Sequence, residues 1–391
     1  MEKVTCIILA GGRGSRLYPL TKSRAKPAVT FGGRIKLIDI PIHLAKQAGI
    51  EDIYILTQHL SSSIHEHIDA HYMNCQIELL CSKNQKDVVF EGTADAVRKN
   101  LHIFEHLETD YFLILSGDHI YDFDFKKFIN EGAKLDCDLM IMCKQVAKHH
   151  AKRLGTVQID SNNRILNFIE KPQDPQVIDS LVIPDTHHVL ASMGIYLFKK
   201  QTLITLLRNE VQNDFGKDLI PIQIKKGACF SFAFDGYWED IGTIKTFFDA
   251  NLDLTNTALD LKKKLLTKNF YHLPKPLIHT EKLIDSIVCE GTLIEAQEIC
   301  NTILGVGSIV QKGSVLKNCI LMGSDEIQNG PRIGKNCIIE NTIIDQNVSI
   351  GNNVYLRNTD NKENFEDDQV MIKDGIIIVK EGAILPDGFS I

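Results

Sequence analysis

Over the first 254 positions, short apolar runs rich in β-branched residues alternate with stretches of helical spacing. The runs at 4–9, 53–57, 77–80, 111–115, 139–143 and 192–198 predict strands. Between them, Ala94, Val97, Leu101 and Phe104 recur at the spacing of one helix face, and 244–254 reads the same way. Strands alternating with helices predict crossover units and an α/β domain with a mostly parallel sheet. In such sheets ligands gather beyond the carboxyl ends of the strands.

The pattern then changes. Residues 255–280, with Lys262-Lys263-Lys264 and Pro274-Lys275-Pro276, read as a linker. Beyond it Ile303, Ile309, Val315, Leu321, Ile327, Ile333 and Ile339 fall six residues apart, with Gly or Asn frequent between them, and a second register runs through Ile338, Ile344 and Ile350. Helices repeat at 3.6 and simple strands at 2, so a sustained six predicts a hexapeptide β-helix, whose coils bury their apolar corners by stacking. The acidic, Asn-rich stretch 358–368 predicts a solvated loop before a last coil at 375–384. The expected organisation is a first domain at 1–254, a linker at 255–280 and a β-helix at 281–391.

Composition narrows the chemistry. The chain has 391 residues, ample for two or three domains, with 43 Lys and Arg against 50 Asp and Glu. A net charge of −7 lacks the field that draws proteins to nucleic acid or anionic lipid, so a phosphate-bearing ligand must be held by local groups. Ten cysteines with no C-x-x-C pair, mostly inside apolar runs, predict reduced core thiols in a cytoplasmic protein. No run approaches the roughly 20 apolar residues of a membrane span.

Directly after the first predicted strand comes Gly11-Gly12-Arg13-Gly14-Ser15-Arg16-Leu17. Glycines let backbone N–H groups close on anionic oxygens, and Arg16 adds charge-assisted donors. Leu17 stands where a dinucleotide fingerprint needs glycine, and no G-x-x-x-x-G-K-[ST] occurs, so the dinucleotide and P-loop readings both fail. Alone, the loop reads equally as a plain strand-to-helix turn. Lys26, in Arg24-Ala25-Lys26-Pro27, adds a second cation ten residues on. Asp118 follows an apolar strand, as suits a Mg²⁺ ligand, and Asp240 precedes a predicted helix; either alone could be a turn or helix-cap residue.

The stretch from Leu9 to Pro27 resembles the sugar-phosphate nucleotidyltransferases. Gly92-Thr93-Ala94-Asp95-Ala96-Val97, Ser116-Gly117-Asp118-His119-Ile120-Tyr121, Phe168-Ile169-Glu170-Lys171-Pro172, Ser192-Met193-Gly194-Ile195-Tyr196, Asp214-Phe215-Gly216-Lys217-Asp218 and Tyr237-Trp238-Glu239-Asp240-Ile241-Gly242-Thr243 narrow the resemblance to the glucose-1-phosphate adenylyltransferases. It covers nearly the whole chain and implies a Rossmann-like catalytic domain with a mostly parallel mixed sheet, followed by a left-handed parallel β-helix. The implied reaction converts ATP and glucose 1-phosphate to ADP-glucose and diphosphate. Residue by residue, it assigns Arg16 and Lys26 to the β- and γ-phosphates, and Asp118 and Asp240 to Mg²⁺. It puts Gly11, Gly12, Gly14, Gln58, Phe90, Gly92 and Thr93 on the nucleotide, and Gly155, Glu170, Lys171, Ser192 and Asp218 on glucose 1-phosphate. Small-molecule effectors and a homotetramer are implied as well, with neither nucleic acid nor membrane as partner.

There are departures. Ser23 stands where some bacterial members carry a lysine for a sugar-bisphosphate activator, and Phe90-Glu91 replaces the more usual pair before Gly92, so the effector is left open. Acyltransferases also use such β-helices, but they need a histidine in the coils, and the last here, His279, precedes the repeat. All 14 histidines read as structural or solvated. Two alternatives are a catalytically silent regulatory subunit, which tends to lose the loop arginine and lysine retained here, and the same chemistry with another nucleoside triphosphate.

Overall fold

A computed structural model describes residues 2–82, 89–256 and 273–391, so most of the predicted linker lies outside the described residues. The chain divides into two compact units, Met1–Gly12 with Ile40–Trp238, and Arg13–Asp39 with Glu239–Ile391.

The first unit is built on nine strands: β1 (Val4–Ala10), β2 (Ile53–Thr57), β3 (Ile77–Cys81), β4 (Tyr111–Ser116), β5 (Leu139–Ala147), β6 (Gly155–Ile159), β7 (Ile165–Glu170), β8 (His188–Lys199) and β9 (Cys229–Ala233). Their order is β7-β6-β8-β4-β1-β2-β3, with β5 joining β8 to β9. β4, β1, β2 and β3 run parallel, as the crossover pattern predicts. β8 runs antiparallel to β4, β5 and β6, which makes the sheet mixed. The predicted helix face holding Ala94 and Phe104 is two helices, Thr93–Lys99 and Leu101–Phe104, parted at Asn100. Ile7, Phe104, Phe112, Ile114, Ile141 and Phe198 share one buried core.

Two features of this sheet position side chains. Leu9 pairs with Ser116, and Ala10 with Thr57, so the loops after β1, β2 and β4 leave the sheet at one edge. Within β8 the register shifts between Ser192 and Tyr196, around Gly194 at φ +69°. That bulge lets the first half of β8 pair β6 while its second half pairs β4.

In the second unit, short parallel strands stack into a β-helix. Leu293–Ile294, Ile309–Val310, Arg332–Ile333, Ser349–Ile350 and Ile384–Leu385 form one face. Each of these two-residue strands turns one side chain in and one out, and the predicted registers hold in part: Ile303, Leu321, Ile333 and Ile339 are buried, but Ile309 and Val315 are half-buried and Ile338 exposed, with Val310 and Leu316 filling the core instead. Ile327 lies in a 3-10 turn rather than a strand. The stretch predicted as a solvated loop is partly a hairpin, Asn364–Glu366 against Val370–Lys373, which continues antiparallel onto Ile376–Val379.

The segment Arg13–Asp39 is stitched to this β-helix. Val306 N–H donates to the Gly33 carbonyl at 2.9 Å, and a Cβ on Gly33 would stand 2.6 Å from the Gly305 Cα, so only glycine allows that approach. Arg34 pairs with Glu290 at 2.7 Å and Arg24 with Asp345 at 2.9 Å. Gly32 N–H donates to Asn251 Oδ1 at 2.8 Å, tying the helix Ile244–Asp253 to the same segment.

Candidate functional site

In the first unit, Gly11 and Gly12 follow β1, Gln58 follows β2 and Asp118 follows β4, all beyond the carboxyl ends of adjacent parallel strands. A side chain at Gly12 would meet nothing within 4 Å, so no neighbouring group demands glycine there. Gln58 clamps the main chain of Phe90: its Nε2 donates to the Phe90 carbonyl at 3.1 Å, and its Oε1 accepts from the Phe90 N–H. The Phe90 ring is buried in the core, so the clamp presents its backbone rather than its ring. Gly92 comes next, in extended conformation; a Cβ there would lie 2.2 Å from the Asn213 carbonyl oxygen. That carbonyl accepts from the N–H groups of Ala94 at 2.8 Å and Asp95 at 3.1 Å. Thr93 Oγ1 donates to Asp214 at 3.2 Å and accepts from Phe215 N–H at 3.0 Å, and Asp218 accepts from Asp214 N–H at 3.2 Å. The segments 91–95 and 213–218 are thereby one assembly.

A second group forms beside it. Gly155 opens β6 and pairs with Glu170 at the end of β7. A Cβ on Gly155 or on Gly216 would stand 2.7 Å from Glu170 Oε2, so both glycines keep space around one carboxylate. Lys171 Nζ pairs with Glu170 Oε1 at 2.8 Å, and its side chain is 60% exposed. Its backbone has φ +46°, a left-handed conformation a non-glycine residue adopts only under constraint, and its N–H donates to the Leu154 carbonyl at 3.2 Å. Ser192, at the bulge of β8, accepts from Gly194 N–H at 3.2 Å. Tyr196 hydrogen-bonds Ser192, and burial, reinforced by the Glu170 carboxylate, holds its phenol well above the ordinary range, so it stays a neutral donor.

Asp118 joins this group through a histidine. Ser116 Oγ donates to Asp118 Oδ1, His119 Nε2 lies 3.7 Å from the same oxygen, and His119 Nδ1 bonds the Met193 carbonyl at 3.1 Å, inside the β8 bulge.

The remaining predicted residues belong to the second unit. Gly14 takes φ +62°, and a Cβ there would lie 2.7 Å from the Lys26 Cβ, so glycine is required twice over. Lys26 Nζ stands 3.9 Å from Asp240 Oδ1, its side chain only 10% exposed. The guanidinium of Arg16 lies over Gly242, where a Cβ would be 3.5 Å from Nη2. Asp240 ends the short strand Trp238–Asp240, and Thr243, not Asp240, caps the helix that follows. Two cations and a carboxylate are therefore held together, an arrangement suited to phosphate oxygens.

Sequence reasoning passed over Ser116, His119, Tyr196, Asn213, Asp214 and Gly216. All but Asn213 sit inside the quoted motifs, but their role depends on the bulge and on pairing distant in sequence. Asp118 and Asp240 offer hard carboxylate oxygens, and among the described residues neither belongs to a cluster of three or more ligand side chains. Carboxylate oxygens are the donor type that fits Mg²⁺, which keeps waters and phosphate oxygens in its shell. All ten cysteines are free, and burial lifts the thiols of Cys143, Cys229, Cys289 and Cys319 to about 12, which leaves them unreactive. Among the described residues no helix is long and apolar enough to cross a membrane.

Two family models match successive stretches of the chain. The nucleotidyl transferase family matches residues 5–257, and the GLGC left-handed parallel beta-helix domain matches residues 271–390. The chain belongs to the nucleotidyl transferase family and has the two-domain architecture of the glucose-1-phosphate adenylyltransferases.

Proposed function

We propose that the chain is a glucose-1-phosphate adenylyltransferase that makes ADP-glucose for α-glucan synthesis in the cytoplasm, as an effector-regulated homotetramer. The observation that carries the reading is the carboxylate of Glu170, kept open by Gly155 and Gly216 and flanked by Lys171, Ser192 and Tyr196. An acceptor carboxylate, a cation and a neutral phenol side by side match a phosphorylated sugar: hydroxyls to Glu170 and Ser192, phosphate to Lys171. Asp218 holds the loop that carries Gly216.

In the reaction, a phosphate oxygen of glucose 1-phosphate bonds to the α-phosphorus of ATP, and the bridging bond to the β-phosphate breaks, its electron pair leaving with diphosphate. Arg16 and Lys26 hold the β- and γ-phosphates and offset the charge that grows on the leaving group. Gly11, Gly12 and Gly14 bring backbone close to the phosphates, while Gln58, the Phe90 backbone, Gly92 and Thr93 face the adenine and ribose. Lys171 orients the attacking phosphate in line, where positioning rather than covalent help sets the rate. Mg²⁺ bound by Asp118 and Asp240 would neutralise phosphate charge.

The test is diphosphate release from glucose 1-phosphate and Mg²⁺ with ATP, UTP, dTTP and GTP in parallel. Release with ATP well above the others is expected. Preference for another triphosphate would reassign the base, and silence with all four from a folded oligomer would make the chain a regulatory subunit.

A further inference from the structure

We propose that the first unit carries a second ligand site, separate from the residues assigned above, which takes a small organic anion with an apolar body and is felt at Lys171. A cavity of about 440 Å³, within the range of small-molecule sites, opens where the end of β5 meets the turn Lys148–Arg153 and the helix Pro175–Ser180. Its floor is apolar, made by Ala147, Pro175 and Ile178. Ile178 belongs to a small buried core with Ala151, Leu181 and Val189, so the floor is fixed. Its rim is cationic, made by Lys148, His149, Lys152 and His187.

The balance of charge favours an anion. Lys148 pairs with Asp179, both exposed, and Asp174 is occupied by the Gln176 N–H at 2.8 Å. Among the described residues, Lys152 and His187 meet no carboxylate, and Arg153 and His150 extend the basic turn. In a chain of net charge −7 this is a local excess of positive groups around an apolar surface, complementary to a phosphate or carboxylate on a compact hydrocarbon body. His149 and His187 are exposed, as the sequence pattern suggests, yet both face the cavity.

A short path leads to Lys171. Gln173 Nε2 donates to the Lys152 carbonyl at 3.0 Å and to the Lys171 carbonyl at 2.8 Å. Lys171, held at positive φ, also bonds Leu154, the residue that closes the basic turn. A ligand drawing Lys152 inward therefore acts on the backbone of Lys171 through one amide.

The experiment is calorimetric titration of the full chain with phenyl phosphate, phenylacetate, inorganic phosphate and phenol. Phenyl phosphate or phenylacetate should bind at least tenfold more tightly than inorganic phosphate or phenol, and their ratio shows which anion the rim prefers. K152Q/H187Q, both exposed positions, should lose tenfold or more while keeping its circular dichroism, and Lys26→Gln should bind as the parent does. Equal binding of inorganic phosphate, no binding at all, or loss in Lys26→Gln with retention in K152Q/H187Q would overturn the site. The coupling rests on the reading of Lys171: phenyl phosphate should shift the apparent KM for glucose 1-phosphate in the parent and not in Gln173→Ala. An unshifted KM in an active, ligand-binding parent would overturn the coupling alone.

Discussion

Arg24 Nη2 donates to Asp345 Oδ1 at 2.9 Å, and both side chains are buried, which joins the segment carrying Lys26 to the β-helix 321 residues away, just past the strand Ile338–Ile344. Glu381 lies 3.2 Å from the same nitrogen. Burial holds the Asp345 carboxyl above its ordinary range although Arg24 pulls it down, so for this carboxylate the loss of water outweighs its partner.

Asp345→Ala should destabilise the protein by about 1.5–3 kcal/mol, because it removes a buried charge-assisted bond and leaves the Arg24 guanidinium with Glu381 alone. The apolar pair Arg24→Met with Asp345→Leu should be neutral or stabilising, since it removes both desolvation penalties. Denaturant midpoints check the two; a double variant less stable than the parent would show that the pair contributes more than burial takes away.

Lys171→Ala removes a charge-assisted donor worth roughly 1.5–3 kcal/mol. The apparent KM for glucose 1-phosphate should rise about 10- to 150-fold, with that for ATP nearly unchanged. Equal loss on both substrates in initial-rate measurements would detach Lys171 from the sugar phosphate.

Asp118→Asn keeps the shape of the turn and the bond from Ser116 but removes the charge. Turnover should fall by orders of magnitude while the melting temperature stays close to the parent's. Near-normal turnover at saturating Mg²⁺ would take Asp118 out of metal binding.

Gly92→Ala should weaken nucleotide binding through sterics alone. The backbone there is extended and open to any residue, but the new methyl would meet the Asn213 carbonyl at 2.2 Å and push it off the Ala94 and Asp95 N–H groups. Overpacking of this kind costs about 1–3 kcal/mol. An unchanged KM for ATP would show that the 91–95 segment is not part of the nucleotide site.

In the β-helix, Ile339→Ala should cost about 2–5 kcal/mol and Ile338→Ala far less. The two are adjacent in sequence, but Ile339 is fully buried and Ile338 is 39% exposed. Similar losses in urea unfolding would show that both six-residue registers point inward.

That register shows where sequence stops informing structure. The six-residue repeat identifies the coils, but Ile309 and Val310, or Ile338 and Ile339, are equally apolar, and only stacking selects the inward one. The parallel strands were legible because each is a continuous apolar run. The antiparallel partners of β8 were not, because an apolar run carries no mark of the direction in which it pairs, and no local pattern reveals the register shift at Gly194. Arg16, Lys26 and Asp118 stood out as charges beside glycine or a strand end, while Glu170 and Lys171 came only from the family resemblance. Tyr196 and Asn213 did not, since an apolar-looking tyrosine and a backbone carbonyl gain meaning only from what folds against them.

The central claim is that an oxygen of the sugar phosphate attacks the α-phosphorus of ATP. Glucose 1-phosphate labelled with ¹⁸O in its phosphate, incubated with the full chain, ATP and Mg²⁺, tests it by mass spectrometry of both products. The account predicts that all label is found in ADP-glucose and none in diphosphate. Label in diphosphate, or a folded enzyme that forms no nucleotide sugar, would contradict it.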